Sequence, residues 1–224
     1  MSVSEKPQAP EKIAGNGPDD ANGPEEQHAR RMSRKKDFVE KAIAAAREER
    51  GILLVNTGNG KGKSSAAFGI IARALGQGMK AAIVQFVKGR ADTGEAAFFR
   101  DVQKTLPDKL FWHITGEGYT WKIQDTSREA AAARGAWDLA RGYLSNPGFG
   151  LVVLDEMTYA FKFRWLDLSE VLEAIGRRPP MQHVVITGRA APRDLIAAAD
   201  TVTDMVSVKH AFQAGVKAMP GIDW

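Results

Sequence analysis

The chain has 224 residues, 44% hydrophobic and 26% charged, which suits one globular α/β domain with a substantial core. A formal charge of +4 is mild, and no apolar run approaches the ~20 residues of a membrane-spanning helix, so no membrane partner is expected. Cysteine is absent, which removes disulfides, thiolate metal sites and cysteine nucleophiles together; with no apolar signal core after Met1, the expected compartment is the cytoplasm.

Residues 1–29 include Gly15-Asn16-Gly17-Pro18-Asp19-Asp20, which cannot bury apolar area, and are expected to form a disordered tail. The basic run Arg30-Arg31-Met32-Ser33-Arg34-Lys35-Lys36 reads as a solvated segment, with an anionic or nucleic-acid patch as the sharper alternative. From Asp37 a helix is expected, with Phe38, Ala42, Ile43 and Ala46 on one face and Gly51 as its stop. The division is therefore a tail at 1–29, an N-terminal helix within 30–50 and a main domain at 51–224.

Within that domain, 52–56 reads as a strand and 63–75 as a helix ended by Gly76 and Gly78. Residues 80–87 read as a buried strand, 95–105 as a helix, 110–114 as a strand and 115–125 as a loop. Thr126 with Glu129 forms a capping box that opens an alanine-rich helix ending near Leu144. Residues 151–156 form a strand ending in two carboxylates, and Asp167 with Glu170 opens a short helix. A strand at 183–187, a helix at 192–199 and a last strand at 201–208 complete the chain. Strands alternating with helices imply a parallel sheet covered on both faces. No internal repeat or second domain stands out.

The richest stretch is Thr57-Gly58-Asn59-Gly60-Lys61-Gly62-Lys63-Ser64-Ser65, between an apolar strand and a small-residue helix. Glycines let backbone N–H groups approach phosphate oxygens, a lysine neutralises charge and a hydroxyl ligates Mg²⁺. Lys63 is expected on phosphate, Ser64 on Mg²⁺, and Lys61 adds a second positive charge. The general G-x-x-x-x-G-K-[ST] pattern has glycine where this chain has Thr57. Asp155 and Glu156 end an apolar strand in the Walker B manner, and that strand is expected beside the first. The expected class is α/β: a single-domain RecA-like P-loop fold, its mostly parallel sheet flanked by helices. Gln85 and Lys88 near the end of the second strand, and Arg189 after a later one, face the expected ligand crevice. Tyr159, Phe161, Phe163 and Trp165 read as core or as the wall of a pocket for a flat ligand. His28, His113, His183 and His210 show no metal-ligand spacing, and no nucleophile–base pair stands out.

Together these residues resemble the P-loop corrinoid adenosyltransferases. The resemblance is carried by the 57–64 loop, Val84-Gln85-Phe86-Val87-Lys88-Gly89, Gly118-Tyr119-Thr120-Trp121 and Val153-Leu154-Asp155-Glu156-Met157-Thr158-Tyr159. It continues through Ile186-Thr187-Gly188-Arg189, the 208–218 block and Gly221-Ile222-Asp223-Trp224. Thr57 is this family's own form of the loop. The resemblance implies that ATP is a co-substrate, bound in reversed sense, whose 5′-carbon is attacked by the Co(I) of a reduced corrinoid. Triphosphate then leaves. It implies Mg²⁺ on Ser64 and Glu156, with Asp155 a further candidate, and Thr57 to Ser65, Gln85, Lys88 and Arg189 on ATP. Tyr119 and Trp121 would displace the lower ligand of the corrin, and Lys63 would stabilise the leaving group. An electron donor such as a flavoprotein and a homodimer, its site covered by the N-terminal helix, are implied as well. Two rivals share the P-loop: a RecA-like ATPase acting with nucleic acid, and a nucleotide-binding regulatory module without chemistry.

Overall fold

The computed structural model describes residues 23–86, 93–115 and 126–223. The chain forms two compact units, Met1–Glu48 and Glu49–Trp224. In the first, helix α1 spans Pro24–Ala45 and none of its residues is buried. It starts well before Asp37 and takes in the end of the stretch expected to be a tail. Pro24 sits where its missing N–H costs nothing, and Glu25 and Glu26 complement the helix dipole. Ion pairs Arg30–Glu26 (3.2 Å) and Lys36–Glu40 (3.7 Å) add support along the exposed surface. The helix stops at Ala45, short of Gly51.

The second unit alternates β1 (Leu53–Thr57), α2 (Lys63–Gly76), β2 (Ala81–Gln85), α3 (Gly94–Thr105), β3 (Leu110–Ile114) and α4 (Thr126–Leu144). Then come β4 (Leu151–Asp155), α5 (Thr158–Lys162), α6 (Leu168–Gly176), β5 (His183–Thr187), α7 (Arg193–Ala198) and β6 (Thr201–Asp204). A 3₁₀ turn, Ala211–Ala214, follows. The short α5 was not anticipated, and β6 ends well before Val208. Thr126 opens α4, but its side chain lies outside the described residues, and so does the capping box expected there.

The six strands lie in the order β3-β2-β4-β5-β1-β6, and every recorded pairing is parallel. Parallel neighbours need crossovers, and the helices supply them. β2 and β4 are buried at every position, which explains their unbroken apolar runs. Alternate side chains feed two cores. Ala82, Val84, Val152, Leu154 and Ile186 pack with Trp137 of α4, Val171 of α6 and Leu195 of α7. Ala81, Ile83, Leu151, Val153 and Val185 pack with Phe68 and Ile71 of α2 and Phe99 of α3. Edge strand β6 is exposed throughout.

One expectation is corrected. β4 does not lie beside β1, because β5 is inserted between them. Both flanking strands and β5 are apolar, so their composition is compatible with either order; the pairing partners decide it.

Candidate functional site

Because the strands are parallel, their carboxyl ends meet at one edge of the sheet. Register brings Gln85 opposite Asp155, Asn56 opposite Thr187, and Thr57 opposite Asp204. Asn56, Gln85, Asp155 and Thr187 are all buried. A polar row therefore terminates four otherwise apolar strands, and buried polar groups of this kind need partners.

The loop after β1 is shaped by its glycines. Gly58 (φ 95°) and Gly62 (φ 106°) take left-handed backbone that L side chains avoid. A Cβ on Gly58 would lie 2.1 Å from Asp204 Oδ1, and one on Gly60 would lie 2.5 Å from Met205 O. The Gly60 N–H donates to Met205 O at 2.5 Å, so the loop is seated on the chain leaving β6. Gly62 is the N-cap of α2 and brings no side chain to its first turn, where no acidic residue stands. The open N–H groups of that turn, with the helix dipole, suit an anion.

Lys63 is buried, 6% exposed, and its Nζ donates to Gly60 O at 2.6 Å. Burial lowers its pKa from the ordinary 10.5, Glu156, Asp155 and Asp204 pull it back up, and Arg189 adds to the lowering. Four charged side chains from three strand ends thus act on this ammonium. Ser64 is half-buried, while Asn59, Lys61 and Ser65 are exposed. Lys61 Nζ donates to Asp223 Oδ1 at 2.5 Å. Clefts of ≈ 560 Å³, lined by Thr57, Gly58, Asn59, Ala191 and Asp204, and ≈ 520 Å³, lined by Gly60, Lys61 and parts of 206–223, flank the loop.

The two carboxylates have different surroundings. Asp155 is fully buried; Gln85 Nε2 donates to its Oδ2 and Thr187 Oγ1 to its Oδ1, both at 2.7 Å. Glu156 is half-buried and takes φ 56°, uncommon for a residue with a Cβ. Its backbone N–H donates to Thr187 Oγ1 at 2.9 Å, so one hydroxyl serves both acidic residues. Among the described residues no group of three His, Cys, Asp or Glu side chains could hold a metal by itself. The oxygen donors at hand, a serine hydroxyl and a carboxylate beside a phosphate cradle, fit Mg²⁺, which keeps waters and takes phosphate oxygens as further ligands.

Several positions gained meaning only from the fold. Thr158 donates from Oγ1 to Arg189 O at 2.7 Å, under Gly188, whose Cβ would lie 2.0 Å from that hydroxyl. Asn56 Nδ2 reaches Lys63 O at 3.4 Å. A polar residue inside an apolar strand was the available signal for Asn56; Thr158 and Asp223 stood in segments that carry the resemblance but had no role assigned, and Asp204 gave no signal. Of the aromatic run, Tyr159, Phe163 and Trp165 stack in series, and Phe161 packs on the core. Burial, then Glu156, raise the Tyr159 pKa. His113 meets Tyr143 OH at 2.6 Å, a half-buried histidine with a partner. Lys88, Tyr119 and Trp121 lie outside the described residues.

The family described as ATP:corrinoid adenosyltransferase BtuR/CobO/CobP matches residues 49–224. The chain is 54% identical over 200 residues to a protein named corrinoid adenosyltransferase from Pseudomonas aeruginosa, covering 89% of this chain and 97% of that one. Proteins of the same name from Escherichia coli K12 (42% over 200 residues, 89% and 99% covered) and Sinorhizobium (40% over 213 residues, 95% and 97% covered) are also similar.

Proposed function

We infer the mechanism from one premise, that the chain belongs to the ATP:corrinoid adenosyltransferase family. It transfers the 5′-deoxyadenosyl group of ATP to the Co(I) of a reduced corrinoid. The electron pair of Co(I) forms the bond to C5′, the C5′–O5′ bond breaks, and its pair leaves on triphosphate. Cobalt ends as Co(III).

The observation that carries this reading is the cradle itself: open N–H groups at α2 and a buried lysine under carboxylates and Arg189. Co(I) is already a strong nucleophile, so the protein need not activate one. What the reaction needs is a leaving group held and its developing charge offset. In the proposed arrangement Lys63, Lys61 and the N–H groups of 58–65 other than that of Gly60, which donates to Met205 O, bind the triphosphate. Each ~1.4 kcal/mol gained there only in the transition state is worth about tenfold in rate.

Ser64 and Glu156 would hold Mg²⁺, which when bound neutralises charge on the departing triphosphate. Asp155 fits a supporting role, since both its oxygens already accept hydrogen bonds and it is fully buried. Gln85 fits the same role, with its amide on Asp155. Arg189 faces the charge cluster of Lys63 and is proposed on phosphate. The Tyr159–Phe163–Trp165 stack, close enough to Glu156 and Arg189 for its tyrosine to feel both charges, supports an apolar wall for a flat macrocycle. Tyr119 and Trp121 are assigned to the lower face of the corrin and Lys88 to ATP by resemblance. A homodimer, a flavoprotein electron donor and a cytoplasmic location complete the proposal.

The test is product identity. With ATP, Mg²⁺ and chemically reduced cobalamin, the expected products are adenosylcobalamin and triphosphate in equal amounts. ADP and phosphate, released without a cobalt–carbon bond, would overturn the reading.

A further inference from the structure

The segment 206–223 borders the phosphate loop but makes an unusual neighbour for it. Every residue from Ala211 to Asp223 is exposed, including Phe212 at 73% and Ile222 at 76%. Apolar burial therefore does little to fasten it. Its end is nevertheless ordered around one carboxylate. The Met219 N–H donates to Asp223 Oδ2 at 2.9 Å, and the Asp223 N–H donates back to Met219 O at 2.9 Å. The other oxygen, Oδ1, accepts from Lys61 Nζ at 2.5 Å, with the lysine side chain half exposed. Lys61 is thus tied to a closed turn in a distant part of the sequence. Hydrogen bonding from Lys61, then from the Met219 N–H, holds the Asp223 carboxyl below the usual carboxylate range, as expected of a loaded ion pair.

Resting on the reading of Lys61 as a triphosphate ligand, we propose that Asp223 is a latch. It holds Lys61 and the 219–223 turn together while the cradle is empty, and releases the lysine when a polyphosphate binds. Exposed ion pairs are weak enough to exchange, and a triphosphate offers more charge and more acceptor oxygens than one carboxylate. Lys63 cannot serve in this way, because it is buried against Gly60. Filling of the cradle is then signalled as loosening of the 219–223 turn beside the ≈ 520 Å³ cleft.

The probe is inorganic triphosphate with Mg²⁺, titrated calorimetrically into the full chain. Asp223→Asn removes the competitor for Lys61 and should bind triphosphate about two- to fivefold more tightly, the range of an exposed pair. Asp223→Glu, which keeps the charge, should stay within about twofold of the parent on the same scale. In the unmodified chain, hydrogen exchange of amides 217–223 should speed up on saturation with triphosphate. In Asp223→Asn it should be fast beforehand and unresponsive. Equal or weaker binding by Asp223→Asn, or exchange at 217–223 that slows or does not change, overturns the latch, as does failure of triphosphate to bind. Triphosphate binding with these responses but no adenosyl transfer would leave the latch standing and refute the proposed function.

Discussion

Thr187 carries more of the site than its size suggests, and Thr187→Val isolates that contribution. Its hydroxyl donates to Asp155 Oδ1 at 2.7 Å and accepts from the Glu156 N–H at 2.9 Å. Valine matches the shape and removes both bonds. A hydrogen bond to a carboxylate is worth about 1.5–3 kcal/mol, and an N–H left without its acceptor costs about 1–3 kcal/mol. The two share one hydroxyl and the half-buried Glu156 backbone can relax, so the expected loss is about 3 kcal/mol rather than the sum of the upper limits. For a domain of this size each kcal/mol moves Tm by about 2–4 °C, which gives a fall of about 6–12 °C. Activity should fall too. Glu156 sits at φ 56°, a conformation that costs about 1 kcal/mol or more and persists only when its surroundings enforce it. Without the Thr187 anchor its carboxylate drifts, and kcat should drop more than affinity for ATP. Thr187→Ser keeps both bonds and should recover most of each loss. Thermal unfolding and the transfer assay on the three proteins decide the matter. A valine variant that melts and turns over like the parent, or a serine variant as damaged as valine, would refute the shared-anchor argument.

Lys63→Ala should abolish triphosphate binding and turnover while the fold survives; near-normal turnover would contradict the cradle. Because burial lowers the Lys63 pKa below 10.5, its charge, and with it ATP affinity, should begin to fail at lower pH than for an exposed lysine. Glu156→Gln removes a carboxylate that raises that pKa, so KM for ATP should rise at still lower pH; a coincident pH profile would refute this. Asp200 accepts from Arg50 at 2.6 Å and from the Leu53 N–H at 2.8 Å, and the Arg50 hydrogen bond leads in holding its pKa at about 2 against 3.8 unfolded. A depressed carboxylate pKa stabilises above the unfolded value and loses its effect as pH falls through the folded one. Asp200→Asn should therefore cost about 1–2 kcal/mol at pH 7 after solvent screening, with the difference closing towards pH 2; a urea-unfolding difference independent of pH would be the wrong result. Gly58→Ala should abolish ATP binding, since its Cβ would lie 2.1 Å from Asp204 Oδ1, whereas Gly69→Ala in α2 meets nothing within 4 Å and should stabilise by about 0.5–1 kcal/mol. Calorimetric titration and melting curves separate the two, and equal effects would be the contrary outcome.

The strands and most helices were legible because each carries a dense local signal. The 110–114 and 183–187 stretches are β3 and β5 to the residue, and β1, β2 and β4 fall within a residue or two of expectation. Strand order was not legible. Apolar runs such as Val152-Val153-Leu154 and Val184-Val185-Ile186 fit any central slot, and only tertiary pairing put β5 between β4 and β1. The early start of α1 was readable in principle, from Pro24 and the acidic pair after it, but the Gly- and Asp-rich stretch before it outweighed that signal. The aromatic run after Glu156 alternates like a strand, yet Thr158–Lys162 is helical. The backbone reversal at Glu156 precedes it and is not encoded by any glycine.

Sequence marked Lys63, Gln85, Asp155 and Glu156 as candidates, and the fold gathers them near the same strand ends, but their differing surroundings were not readable from the residues. Asp155 and Glu156 look equivalent in sequence, as adjacent acids after an apolar run. Side-chain alternation separates them: the last residue of β4 turns towards Gln85 and Thr187 and is sealed, while the next leaves the strand at positive φ. Thr57 shows the same logic at the loop. The common pattern places glycine there, but the left-handed backbone falls at Gly58 and Gly62, whereas Thr57 is the last paired residue of β1, opposite Asp204. Glycine's freedom is not needed at that position, and a side chain has a use. Thr57 Oγ1 accepts from the Ala191 N–H at 3.1 Å, fastening the phosphate loop to the turn that carries Arg189 and Ala190 (φ 52°). Thr158 holds the same turn from the other side, through Arg189 O. The backbone of the turn bearing Arg189 is thereby fixed to the loop bearing Lys63, so strand geometry sets the spacing of these two positions, while Lys61 is held separately by Asp223.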